Sequence, residues 1–341
     1  MTSRSAFIPT SVRIALPAIS AGVGPLLALV LASVLWGTAD VAGKIALAAI
    51  PPATLAALRF GVALAIFWPL ARRCGGSRPP SRVVAPLGLL GVGLTFLLQN
   101  LGLARTSAFN ASVLQGAVPV LTLVLAAALL GERLGLRRLA AIGTALAGVA
   151  VVTFPGGGGG RAPGLGDLLV LASSACFAAF IILGRRAFPV YGTLPVLAGM
   201  AAWGTAALVP AAAVELWSTR PTAVDAGAVA MVIYLGAGCS ALTYALWGYA
   251  LRHIEAGRAA TFDALIPVVG ILAAVVVLRE APLANHVAGG ALVLASVFVA
   301  ASEPRIATAM ARRDSFWPGI SRTRTAFDPQ HVRRSASVHR V

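Results

Sequence analysis

Ser33, Trp36, Asp40 and Lys44 recur every three or four residues inside an apolar run, so on a helix they share one face and make a polar and aromatic stripe. A carboxylate, an ammonium and an indole along one face offer proton exchange, ion pairing and a stacking surface. Ionisable groups in hydrocarbon are costly and default to a functional role with a nearby partner. Arg59, in the next apolar run, is within reach of Asp40: at 1.5 Å of rise per residue both fall roughly 10–12 Å below the same membrane face. Two readings follow, an ion pair that locks two helices and a site for substrate or protons, and the sequence leaves both open.

Pro119 and Pro267 supply a second constellation. A proline inside a helix removes the hydrogen bond to the carbonyl four residues earlier, and those carbonyls belong to Gln115 and Asp263. Such kinks are tolerated in membranes where neighbours, water or a cavity satisfies the backbone. Polar side chains at both kinks therefore suggest cavity lining, with a packing kink beside an incidental polar residue as the plainer alternative. Gln99 and Asn100, with Tyr244 and Trp247, add amides and rings that suit either ligand contacts or helix packing. Glu132 and Glu280 end apolar runs beside arginines and read as caps or loop partners, while His253 and His286 lie near run ends as solvated side chains. No run holds a His-Glu-x-x-His or an interior Ser/His pair, so an intramembrane enzyme is not expected. Cys74, Cys176 and Cys239 are too scattered for a disulfide framework or a metal motif, and no metal or cofactor is expected.

The elements that must position these groups follow from composition. Of 341 residues 58% are hydrophobic and 11% charged, with a mean hydropathy of +0.88. Soluble domains carry about a quarter charged residues, so the solvent here is mostly lipid. A membrane-spanning helix needs about 20 apolar residues. Ten such runs are expected, at 24 to 46, 52 to 71, 83 to 104, 107 to 130, 136 to 154, 165 to 184, 194 to 214, 226 to 250, 257 to 279 and 283 to 302. The net charge of +16 is a topological signal, since cytoplasmic loops collect Arg and Lys. Placing the N-terminus inside puts Arg72, Arg73, Arg78, Arg82, Arg133, Arg137, Arg138, Arg185 and Arg186 inside too, and leaves few cations outside. Both termini are then cytoplasmic in a multi-pass plasma-membrane protein. Residues 1–23 read as a cytoplasmic leader, 155–164 as a Gly-rich linker and 303–341 as a disordered basic tail suited to anionic lipid heads. No nucleic-acid partner is expected.

The runs repeat. Gln115, Pro119 and Glu132 stand at the same spacing from Asp263, Pro267 and Glu280, so residues 24–154 and 165–302 are two copies of a five-helix unit. Five is odd, so the copies enter the membrane in opposite senses, an architecture of secondary transporters with the site between the repeats. The fold expected is therefore all-α integral membrane, ten transmembrane helices in two inverted-topology five-helix repeats.

The chain resembles the drug/metabolite transporter superfamily and, within it, the EamA-like family of ten-helix exporters. The resemblance rests on Leu35-Trp36-Gly37, on Thr54 to Phe60 with Arg59, on Pro119 followed by Gly131-Glu132-Arg133-Leu134, and on Pro267 with Glu280; it covers about residues 25 to 302. One departure is Arg279-Glu280, where the family usually shows Gly-Glu. The resemblance implies export of a small polar or amphipathic metabolite by alternating access. Trp36, Asp40, Lys44, Arg59, Asn100, Gln115, Tyr244, Trp247 and Asp263 are the candidate pathway residues, with proton exchange at Asp40 or Asp263 as the expected coupling. A channel, or a scaffold acting through the basic tail, is the alternative, and oligomeric state stays open.

Overall fold

The computed structural model describes residues 23–73, 78–130, 135–153, 164–218, 224–250, 253, 262, 265–281 and 284–301, and every regular element among them is helical. In chain order, α1 runs Gly24–Gly37 and continues as Ala39–Ala46, and α2 is Pro52–Arg73. Helix α3 starts as Ser81–Gly88, passes through a wide π-helical turn at Leu89–Leu94 and ends as Thr95–Leu103. Helix α4 is Ala108–Gln115 continued by Val118–Leu130, and α5 is Leu136–Thr153. Then come α6, Leu165–Tyr191, and α7, Thr193–Ser218. Helix α8 is Ala226–Ile233, a π-helical stretch Tyr234–Leu242, and Thr243–Ala250; α9 is Leu265–Leu278 and α10 Ala284–Ala301.

Among the described residues seven of these segments are long and apolar enough to cross a membrane, α1 to α4 and α6 to α8, and α9 and α10 are shorter apolar helices. The bounds differ from the sequence expectation chiefly in α6 and α7, which run on past 184 and 214, where hydropathy falls but helical residues continue. Large apolar side chains point outward along the bundle, among them Leu129, Leu146, Val276 and Phe298. Inside, small residues let backbones approach: Ala32, Ala56, Ala63, Ala111, Ala141 and Ala274 are buried, as expected where van der Waals packing drives helix association.

Two π-helical turns, which the sequence reading does not anticipate, stand at matching places. Thr95 Oγ1 donates to the Leu90 carbonyl at 2.6 Å, and Thr243 Oγ1 donates to the Gly238 carbonyl at 2.8 Å, each five residues back. The two threonines are separated in sequence by the same spacing as Pro119 and Pro267. Each hydroxyl joins the backbone N–H of its own threonine on that carbonyl, so one acceptor in the widened turn takes two donors from one residue. Gly88 and Gly236, seven residues before the threonines, stand at that spacing as well. A Cβ on Gly88 would lie 2.5 Å from the Met200 carbonyl oxygen in α7, and one on Gly236 would lie 2.7 Å from the Arg59 carbonyl oxygen in α2. Thus α3 is seated on α7 and α8 on α2 by backbone contact that a side chain would block.

Pro119 does not sit in the interior of a helix. The chain turns at Gly116 and Ala117, and Pro119 is the second residue of the restarted segment, a position where its missing N–H is not needed. The expected kink is therefore a break. Pro267 is the third described residue of its helix, and residues 263 and 264 before that helix lie outside the described ones.

Candidate functional site

Asp40 is the second residue of the second segment of α1, just past the break at Thr38. The break has a local cause, since Thr38 Oγ1 donates back to the Val34 carbonyl at 3.0 Å and lies 2.6 Å from the Tyr234 hydroxyl of α8. Side chains that bond back to the preceding turn bend helices. The Asp40 carboxylate is buried and received by donors from two other helices. Gln99 Nε2 of α3 donates to Oδ1 at 2.9 Å, while Ser112 Oγ and Gln115 Nε2 of α4 donate to Oδ2 at 3.2 and 2.5 Å.

The Asp40–Arg59 ion pair allowed by their common depth is not among the contacts of either group. Arg59 Nε donates to Ser240 Oγ of α8 at 2.9 Å, and its guanidinium carbon lies 4.4 Å from the centroid of the Phe96 ring. A guanidinium is weakly hydrated and stacks on ring faces, so an aromatic neighbour competes with the carboxylate for its plane. Lys44 also departs from the stripe. Its Nζ donates to the carbonyls of Leu103 and Thr106 at 2.6 and 2.5 Å, taking up backbone acceptors freed at the end of α3.

Trp36 lies on Tyr244 and Trp247 of α8, both at 5.6 Å between ring centroids, and Tyr244 also meets Phe67 of α2 at 6.4 Å. These three candidate rings are half-buried and form one aromatic wall. Asn100 stands apart, donating through Nδ2 to the Pro52 carbonyl at 3.0 Å, which ties α3 to the start of α2. Asp263, Glu132 and the tail from 302 onward lie outside the described residues, as do the leader through 22 and most of the Gly-rich linker.

At the end of the bundle where α1 finishes and α2 starts, carboxylates cap helices that are not their own. Glu280, just past α9, accepts from the Ala108 and Phe109 N–H groups at 2.9 and 2.8 Å, the first turn of α4. Glu215, near the end of α7, accepts from the Ala53 and Thr54 N–H groups, both at 2.9 Å, in the first turn of α2. Free N–H groups and the positive end of the helix dipole favour a carboxylate there. Arg279 precedes Glu280 with φ 55°, in the left-handed region that favours glycine; the departure from Gly-Glu noted in the sequence thus falls where glycine has a physical use. Glu215, Ser112, Ser240 and Phe96 were not singled out in the sequence. Ser112 stands one turn before Gln115, which is the only signal that places it, and Glu215 ends an apolar run as Glu280 does.

Helices that show apolar side chains outward and bury Asp40 and Arg59 between them define a multi-pass membrane protein. The sequence model of the EamA-like transporter family matches residues 23–154 and again 164–302, and the chain belongs to that family. It is 32% identical over 278 residues to a probable terminal-alkyne amino-acid exporter of Streptantibioticus cattleyicolor, covering 80% of this chain and 91% of that one. It is 29% identical over 267 residues to a transporter of Archaeoglobus fulgidus, covering 77% and 94%. With a probable amino-acid metabolite efflux pump of Escherichia coli it shares 28% identity over 285 residues, covering 78% and 91%. A solved crystal structure superposes with a TM-score of 0.60 at 24% identity, covering 81% of this chain and 96% of that one, and shows the same fold. The protein is thus a membrane transporter of a small molecule, and not an enzyme.

Proposed function

We propose that the protein is a secondary active exporter of an amino-acid-like metabolite, built as ten membrane helices in two inverted five-helix repeats that alternate access to a central site. The observation that carries this reading is the concentration of cross-helix polar contacts at one end. Glu215 on α2, Glu280 on α4 and Lys44 on the end of α3 hold together the end that the arginine distribution makes the outer one. A bundle latched at that face, with Asp40, Arg59 and an aromatic wall farther in, suits a carrier shut to the outside. The matched π-helical turns and the paired Gly88 and Gly236 contacts support the repeat. The names of the Streptantibioticus and Escherichia relatives supply the amino-acid class, which suits a site that offers both an anion and a cation.

Coupling is assigned to protons exchanged at Asp40 or Asp263. The test is export from proteoliposomes under an imposed pH gradient. Flux that follows the gradient and loses that response in Asp40→Asn or Asp263→Asn supports the assignment; flux indifferent to the gradient in every form rejects it, and leaves the carrier reading to be judged by counterflow.

A further inference from the structure

Gln99 is a buried side chain whose amide is only half answered. It is 6% exposed, and its Nε2 is taken by Asp40 Oδ1 at 2.9 Å. Its Oε1, on the same amide carbon and so beside the same carboxylate, has no donor. Buried acceptors without a donor are few in folded proteins, and each needs an explanation. Asp40 has the complementary shortage. Its donors are Gln99, Ser112 and Gln115, all neutral, whereas an ionised carboxylate has about four acceptor positions and a charge that neutral amides do not cancel.

What this point of the bundle lacks is therefore a positively charged donor with several N–H bonds. Of the described cations within the spans, Lys44 is on the carbonyls of Leu103 and Thr106, and Arg59, which acts on Asp40 through space without a hydrogen bond, is on Ser240 and Phe96. A primary ammonium has three donors in a compact head, which suits Asp40 and Gln99 Oε1 together. Trp36, one turn away on α1, presents the ring wall it shares with Tyr244 and Trp247, where the apolar part of such a molecule would lie and where a cation gains further from ring faces.

We propose that Asp40 and Gln99 form the ammonium-recognition site of the transporter, with Gln99 Oε1 the specificity-determining acceptor for substrates that carry a free primary amine. The proposal rests on the exporter reading, but it is read by binding rather than by flux. Purified full-length protein in detergent is titrated calorimetrically with a panel of L-amino acids, each paired with its N-acetyl derivative, in the native form and as Gln99→Met, which keeps the length of the side chain and removes both the Oε1 acceptor and the Nε2 donor to Asp40. The tightest member of the panel is expected to bind the native form about tenfold or more tightly than its N-acetyl derivative, as hydrogen bonds to charged groups allow. Gln99→Met is expected to shrink that ratio to about threefold or less by weakening the free amine alone. A purely structural role for Gln99 would weaken both ligands together, and that result overturns the proposal. So does a panel in which no free amine outbinds its acetylated form. Sodium chloride titrated alone supplies a further arm: saturable sodium binding lost in Gln99→Met would make this an alkali-cation site instead. Amine preference without export in proteoliposomes would sink the exporter reading and leave the site standing.

Discussion

Glu215 and Glu280 on one side and Asp40 on the other are carboxylates drawn into the same apolar bundle, yet their partners differ in kind. Each of the two glutamates places both oxygens on backbone N–H groups in the first turn of another helix. Backbone donors at a helix start are fixed by the fold and leave nothing over. Asp40 is received by side chains only, from α3 and α4, and one of those side chains keeps an acceptor unanswered. A carboxylate that completes a helix latches the architecture, whereas one held by an incomplete side-chain network is free to take a ligand.

The largest expected effect tests that difference directly. Asp40→Asn should lower the transport clearance of the preferred substrate by about thirtyfold or more, since losing one partner of a buried charged contact costs about 2 kcal/mol upward. Radiolabelled flux in proteoliposomes measures it. If Glu280→Gln lost as much at the same protein density, the distinction between latch and site would collapse.

Opening of the latched end comes next. Glu215→Gln or Glu280→Gln removes a charge from a helix N-terminus, worth about 1–2 kcal/mol in a partly buried setting, and should raise the open-to-closed ratio about five- to thirtyfold. The readout is the labelling rate of Leu47→Cys, near the end of α1, by a membrane-impermeant thiol reagent, with Cys74, Cys176 and Cys239 replaced. An unchanged rate would deny the glutamates a gating role.

Packing gives a third contrast. Gly88→Ala forces a methyl group against the Met200 carbonyl, while Gly61→Ala has nothing within 4 Å of its Cβ. The first should lose about 1–3 kcal/mol of stability and the second stay within about 0.5 kcal/mol, read as unfolding midpoints in detergent. Removing the left-handed strain by Arg279→Gly should gain about 1 kcal/mol. The smallest effects belong to the π-helical turns: Thr95→Val and Thr243→Val should each lose about 1 kcal/mol. Equal losses would support the proposed equivalence of α3 and α8, and a loss confined to one would count against it.

The helical segments were legible from apolar runs because hydrocarbon demands about 20 such residues in line, whereas Trp36, Tyr244 and Trp247 were legible only as separate rings suited to ligand contacts or to packing, not as one wall. The partners of the charged groups were not. Whether Arg59 meets Asp40 or stacks on Phe96 depends on how α2, α3 and α8 rotate about their axes, which equal depth does not determine. The π-helical turns escaped for a similar reason: Thr95 and Thr243 are ordinary residues until their hydroxyls are seen to reach five residues back. Glu280 was visible as a cap, but not that the helix it caps belongs to the other half of the chain.

Counterflow is the most direct test of the central claim that one site, containing Asp40, is exposed to each side in turn. Proteoliposomes loaded with unlabelled substrate are diluted into a trace of labelled substrate. An alternating-access carrier accumulates label transiently above its outside concentration, and Asp40→Asn abolishes that overshoot. Label that merely equilibrates, at a rate indifferent to what the lumen contains, would show an open path through the bundle and contradict the account.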